Sequence, residues 1–177
     1  MASRPHENCY WASPGRLLAG EYPAVADAAA TRARLRAMLA ADLLQFIDLT
    51  HEHELPAYAP ALRAEAEMRG LAVQHHRMSI RDHDLPERPQ WMAAILDRID
   101  TALAAEQGVY VHCHAGIGRT GTVIGCWLVR HGASGEQALH TLSHLWRGVA
   151  KSWRHERTPE TDAQHGYVLG WGRDGVI

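Results

Sequence analysis

What this sequence has little of narrows it first. Cysteine occurs three times in 177 residues, at Cys9, Cys113 and Cys126. That is too few for the disulfide framework of a small secreted domain, and free thiols fit a reducing cytoplasm. No apolar stretch approaches the length of a membrane span, and Met1 to Tyr10 is polar and lacks the hydrophobic region of a signal peptide. A cytoplasmic location with no membrane partner is therefore expected. Neither sign of charge dominates: the formal net charge is -2, which argues against a general nucleic-acid surface. Lysine is almost missing. Lys151 is the only one among 18 basic residues, a bias of composition to which no function is attached. There is no repeat, linker or low-complexity segment, so residues 1–177 are expected to form a single domain, large enough to bury a real core and working as a monomer.

What is present is concentrated in one stretch, His112-Cys113-His114-Ala115-Gly116-Ile117-Gly118-Arg119-Thr120-Gly121. Val109-Tyr110-Val111 before it is apolar and strand-like, and Thr120 to Arg130 after it reads as a helix. The loop would then end at a helix N-terminus, where backbone N–H groups collect anions. Gly116 and Gly118 allow bends and close approaches that a Cβ resists. Arg119 offers a planar fork for two phosphate oxygens. A thiol at the mouth of such a ring of dipoles, beside an arginine, is favoured as the thiolate. Its attack on phosphorus gives a phosphocysteine and water then releases phosphate, which splits one hard step into two easier ones. Thr120 would donate a hydrogen bond to the departing sulfur. Cysteine and arginine six positions apart are a weak signal alone; the strand before, the glycines within, the hydroxyl after Arg119 and the helix beyond make it specific. A structural cysteine in a strand-to-helix turn would not need Arg119 at its mouth.

At this stretch the chain resembles the cysteine-dependent protein tyrosine and dual-specificity phosphatases, whose signature is His-Cys, five residues, Arg, then Ser or Thr. The match is residue for residue at His112, Cys113, Arg119 and Thr120. The resemblance implies that His112 orients the loop and helps hold the thiolate. It also implies that the backbone of His114, Ala115, Gly116, Ile117, Gly118 and Arg119 binds the phosphate of a phosphorylated protein or small phosphoester, and that no cofactor or metal is needed. It extends from about Trp11 to Trp171, and Arg157 to Gln164 looks like the family's closing segment.

The rest of the chain alternates strands and helices. Trp11-Ala12-Ser13 and Leu17-Leu18-Ala19 flank a Pro14-Gly15 bend. Helical patterns run over Asp27 to Ala40, Pro60 to Arg69, Pro89 to Gln107 and Ser134 to Trp146, and Thr158-Pro159 is expected to open a last helix. Strands are expected over Leu43 to Leu49, Leu71 to Ile80 and Val109 to His112. That order gives an α/β fold, a central and mostly parallel sheet of about four or five strands with helices on both faces. Ligands then bind beyond the carboxyl ends of the strands, where His112-Cys113 and Asp48 both stand. Asp48 either braces the loop or caps the turn at Thr50, the second being preferred.

A phosphate ester leaves an alkoxide or phenoxide that has to be protonated. Ile80-Arg81-Asp82-His83-Asp84-Leu85-Pro86 lies between a strand and a helix, where the phosphatases carry a mobile acid loop. Asp82, four residues before Pro86, resembles their aspartate in spacing and is taken as general acid and then base; Asp84 is the alternative, and either one also suits a turn cap. Gln164 is a candidate to position water, although a glutamine on a surface helix is the commoner reading. His51-Glu52-His53-Glu54 and His75-His76 lack the spacing of a closed metal site, so no metal is expected. Cys126 reads as core. The substrate is expected to be phosphotyrosine or phosphoserine/threonine in proteins. The loop ending Gly118-Arg119-Thr120-Gly121 is shared with lipid- and inositol-phosphate-directed relatives, but His114 is the only variable position of the loop that can charge. A sulfurtransferase and a non-catalytic phosphate-binding module are the rival classes.

Overall fold

The computed structural model describes residues 3–172. The chain opens with a hairpin of β1 (Cys9–Ser13) and β2 (Leu17–Gly20), turned at Gly15. There follow α1 (Ala28–Ala40), β3 (Leu43–Asp48), α2 (Ala59–Glu67), β4 (Gln74–Arg77), α3 (Pro89–Ala104), β5 (Gly108–His112), α4 (Gly118–Arg130) and α5 (Gly135–Trp146), then a 3-10 turn (Ala150–Trp153) and α6 (Asp162–Gly170). The strands form one sheet in the order β1-β2-β5-β3-β4. All neighbours are parallel except the β1–β2 hairpin. The α/β sheet read from the sequence is thus present, with five strands.

β5 is central and buried along its whole length, as a strand covered on both faces has to be. Its alternate residues feed two cores. Val109 and Val111 pack with Ile95, Leu96 and Ile99 of α3, Val123 and Ile124 of α4, Leu142 of α5 and Val168 of α6. Tyr110, on the other face, packs with Leu35 and Met38 of α1, Phe46 of β3 and Leu62 of α2. Register aligns the ends of the two central strands, Asp48 beside His112. The chains leaving β3 and β5 therefore emerge side by side at the carboxyl edge of the sheet, where a crevice is expected in this architecture.

Most local signals act as anticipated. Asp27 caps α1 by accepting from the Ala30 N–H at 2.6 Å, and Ser134 with Gln137 forms a capping box on α5. α2 (Ala59–Glu67) and α3 (Pro89–Ala104) end two and three residues earlier than expected, and three further differences bear on the site. The strand expected over Leu71 to Ile80 shortens to Gln74–Arg77, an edge strand, although Met78 and Ile80 still donate to the carbonyls of Asp48 and Leu49. α4 starts at Gly118, so Arg119 and Thr120 lie in its first turn. The last helix starts at Asp162 instead of Thr158-Pro159, because the Thr158 hydroxyl is used elsewhere, donating to the Ile117 carbonyl at 2.7 Å.

Candidate active site

The loop between β5 and α4 is built by turning its carbonyls outward. His114 O accepts from the Tyr22 N–H at 2.9 Å, Ala115 O from Lys151 Nζ at 3.0 Å, and Ile117 O from Thr158 Oγ1 at 2.7 Å. A trans peptide points its N–H opposite to its C=O, so these anchors aim the following N–H groups inward. One of them, on Gly116, donates to Cys113 Sγ at 3.3 Å. Gly116 has φ +73° and lies so close to the Gly20 carbonyl that a Cβ would overlap it, which makes glycine a requirement there. Cys113 is 3% exposed, and only His114 of the loop is exposed to solvent.

His112 is fully buried beneath the loop. Burial, partly opposed by Asp48, pushes its imidazole down to about 4, so the ring is neutral at neutral pH. Nδ1 lies 3.3 Å from the Cys113 carbonyl and Nε2 lies 2.7 Å from the Tyr58 hydroxyl. The carbonyl can only accept, so the ring donates from Nδ1 and accepts from the Tyr58 hydroxyl at Nε2. His112 thus holds the backbone of Cys113, with Tyr58 of the Tyr22–Tyr58–Phe46 aromatic cluster setting its tautomer.

Asp48 caps the turn at Thr50, the preferred of its two readings. Oδ1 accepts from Thr50 N at 2.9 Å and Thr50 Oγ1 at 2.6 Å, while Oδ2 accepts from His75 and Arg77, each at 3.1 Å. Burial opposes its charge, but the His75 bond, the His112 ring and the Thr50 donors outweigh it and hold the carboxyl far below the usual range. Toward the loop the carboxylate reaches His112, whose Nδ1 lies 4.0 Å from Oδ1.

Arg119 is also buried, and its guanidinium is gripped by the segments that leave β3 and β4. Nη1 donates to Glu54 Oε2 at 2.9 Å, Ile80 O at 3.1 Å and Leu49 O at 3.4 Å. Nη2 donates to Glu54 Oε1 at 2.7 Å and pairs with Asp82 Oδ1 at 2.8 Å. Burial disfavours the cation, but the Glu54 bonds and the nearby Cys113 and Asp82 raise its pKa above the ordinary value. Nε of Arg119 and Oγ1 of Thr120 are buried with no hydrogen-bond partner. Buried unpaired polar atoms are costly unless a polar ligand meets them, and Arg119 lies near enough to Cys113 for the two to interact electrostatically.

The two aspartates of the acid loop are placed differently. Asp82 is half exposed and touches Arg119. Asp84 turns back on its own turn, its carboxylate accepting from the Leu85 N–H at 2.8 Å. Gln164 does not sit on a helix surface. It is fully buried, its Oε1 accepts from the Glu160 and Thr161 N–H groups at 3.1 Å each, and its Nε2 donates to Asp84 O at 3.2 Å. It also closes a capping box with Thr161. The Thr161-x-x-Gln164 spacing is the sequence signal for that placement, the same one that identifies Ser134 and Gln137.

Glu54, Tyr58 and Lys151 were not singled out by sequence reasoning. Glu54 stood in a histidine-rich run weighed only as a metal site; its carboxylate is instead bidentate on Arg119, and no group of three metal-ligating residues occurs among the described residues. No pattern in the sequence marks Tyr58. Cys126 is core, its thiol pushed far up by burial, and Cys9 is pushed up to about 11 for the same reason, so neither resembles a reactive thiol.

Comparison with known proteins agrees with this geometry. Residues 19–133 match the family model Tc-R-P, described as the DSP-PTPase phosphatase of polymorphic toxin systems. The chain is 40% identical over 58 residues to the human dual specificity protein phosphatase CDC14C, covering 32% of this chain and 12% of that protein. It is 34% identical over 61 residues to the Drosophila melanogaster tyrosine-protein phosphatase 69D, covering 34% of this chain and 4% of that one. The matched stretch thus spans only a small part of these curated relatives. The crystal structure of kinase associated phosphatase, with its catalytic-site cysteine substituted by serine, superposes with a TM-score of 0.73 at 20% identity, covering 99% of this chain and 98% of the other.

Proposed function

The chain belongs to the DSP-PTPase phosphatase family of polymorphic toxin systems, and from that premise we propose that it hydrolyses phosphomonoesters of proteins through a phosphocysteine at Cys113. The observation that carries this reading is the loop whose carbonyls are held outward while the Gly116 N–H meets Cys113 Sγ and Arg119 Nε lies unpaired beside it. Such preset dipoles stabilise charge on equatorial phosphoryl oxygens without reorganising during the reaction.

In this reading the phosphate dianion takes the inward N–H groups and the Nε edge of Arg119, while Glu54 keeps the far side of the guanidinium fixed. Asp82, displaced from Nη2 by the incoming dianion and protonated from solvent, turns to the ester oxygen. The Cys113 thiolate forms the S–P bond, the P–O bond breaks, and Asp82 gives its proton to the leaving oxygen. Water then attacks phosphorus, Asp82 takes its proton, and the S–P electron pair returns to sulfur as inorganic phosphate leaves. The Thr120 hydroxyl supplies a hydrogen bond to that sulfur. The loop and Arg119 provide the charge stabilisation that a metal gives elsewhere.

Phosphotyrosine and phosphoserine/threonine are preferred over inositol polyphosphates because His114 is the one ionisable side chain among the loop's variable positions. Initial rates on a phosphotyrosine peptide, a phosphothreonine peptide and inositol hexakisphosphate test this, and a dominant rate on the last reverses it. The chain is further proposed to act as a cytoplasmic monomer, in keeping with three free thiols. Cys113→Ser should lose essentially all turnover while still binding vanadate or phosphate, since the cradle is backbone. Residual activity above a few per cent removes Cys113 as nucleophile.

A further inference from the structure

One peptide unit of the phosphate loop differs from the rest in what holds it. The Ala115–Gly116 peptide directs its N–H at Cys113 Sγ and its carbonyl at the ammonium of Lys151. The other anchored carbonyls, of His114 and Ile117, are met by a neutral amide and a neutral hydroxyl. Lys151 comes from the 3-10 turn after α5 and is the only lysine of the chain. Its side chain is 20% exposed and is fixed from behind by Glu21, which also accepts from Arg34 and Asn8. Burial opposes the charge of Glu21, but the Lys151 bond and then Asn8 and Arg34 hold its carboxyl below the usual range, so the counter-ion stays in place.

We propose that Lys151 is a positioning residue for the reaction: its ammonium holds and polarises the Ala115–Gly116 peptide so that the Gly116 N–H stabilises the Cys113 thiolate. The inference rests on Cys113 being the nucleophile. A cation on a carbonyl oxygen draws electron density through the amide and makes its N–H a stronger donor. It also prevents the peptide from turning over, a movement that would aim a carbonyl oxygen at the sulfur. Gly116 alone, with its open φ range, would not forbid that turn. None of the groups around Cys113, namely Arg119 with Asp82 and Glu54 beyond it, the neutral His112, Tyr10 and Tyr110, hydrogen-bonds to Lys151, whose partners are Glu21 and the Ala115 carbonyl.

The test reads Cys113 directly, without turnover. The pH profile of iodoacetamide alkylation at Cys113, located by peptide mass, is compared between the wild type, Lys151→Met and Lys151→Arg. Lys151→Met should move the alkylation midpoint up by about one pH unit, equivalent to about tenfold less thiolate below it, and lower kcat/KM on a phosphotyrosine peptide about tenfold. Lys151→Arg should restore both to within about threefold of wild type, because it returns a cation to the same carbonyl. Should Lys151→Met not fold, acetylation of Lys151 on the folded wild type, with phosphate bound to shield Cys113 and then dialysed away, removes the charge in place and should shift the midpoint equally. An unchanged midpoint in the folded Met variant or the acetylated protein overturns the proposal. A midpoint that shifts equally in Lys151→Arg overturns it too. Either result leaves the phosphatase reading standing, whereas retained turnover in Cys113→Ser removes that reading and this inference with it.

Discussion

The phosphate loop and the acid loop face each other across the same crevice and are built on opposite principles. Residues 113–118 are buried apart from the exposed His114 and the half-buried Ala115, and three of their carbonyls are tied to Tyr22 just after β2, to the 3-10 turn and to the approach to α6. Residues 81–84 are exposed, His83 has φ +58°, and the segment is held by a turn bond from Asp84 N to Arg81 O, by Gln164 on Asp84 O, by His83 Nδ1 at 3.4 Å from Glu160 Oε2, and by the ion pair of Asp82 with Arg119. An anion cradle loses its advantage if it has to reorganise as charge develops, so rigidity suits the loop proposed to bind phosphate. A proton donor has to meet leaving groups of different shape, so weak attachment suits the loop that carries Asp82.

The hardest blow to this contrast comes from the acid loop. Asp82→Asn should lower kcat about 10²–10⁴-fold on phosphotyrosine, less on a substrate with an already acidic leaving group, and flatten the basic limb of the pH profile. Asp84→Asn, which disturbs only a turn cap, should change kcat modestly. If the leaving-group-dependent loss appears in Asp84→Asn and not in Asp82→Asn, the two roles are exchanged. On the rigid side, Gly116→Ala forces a Cβ onto the Gly20 carbonyl and should cost about 10²-fold in kcat through misplacement of the loop. Near-native kcat there would mean that the cradle is soft.

Acid should loosen the rigid side selectively. His112 takes up its proton only near pH 4 in the folded protein but near the ordinary histidine value when unfolded, so the unfolded chain binds the extra proton in between. Stability should therefore fall as pH drops from about 6.5 to about 4, by about 3 kcal/mol for this group, and change no further on its account below that. Asp48, held below the usual range, loses its contribution only at still lower pH. Thermal melts with NMR of the His112 ring check this, and a ring that titrates normally in the folded state breaks the argument. The smallest effect should come from the link between the two loops. Gln164→Ala removes a helix cap and the bond to Asp84 O, which should cost about 1–2 kcal/mol of stability and less than tenfold in kcat.

The rigid loop was the more legible of the two. His112, Cys113, Gly116, Arg119 and Thr120 lie within nine consecutive residues, and local geometry at a strand-to-helix turn decides most of what they do. The acid loop could be located and its spacing to Pro86 favoured Asp82 over Asp84, but what each carboxylate meets across space was not readable from two positions only two residues apart. Glu54, Tyr58 and Lys151 meet Arg119, His112 and Ala115 across separations of 65, 54 and 36 residues, and no periodicity or spacing records such pairings. Gln164 lay between these cases. Its capping spacing was readable, its burial was not.

The sequence by itself determined the alternation of strands and helices, the central strand ending in His112, and a loop shaped for an anion, since each follows from hydrophobic period, glycine conformational freedom and the dipole at a helix start. Tertiary structure alone decided which carbonyls the loop turns outward, which carboxylates hold the arginine and which aspartate reaches it. Those are contacts between segments remote in sequence, fixed by the packing of two cores against one sheet; burial then made His112 neutral, while the donors His75 and Thr50 kept Asp48 ionised against its burial.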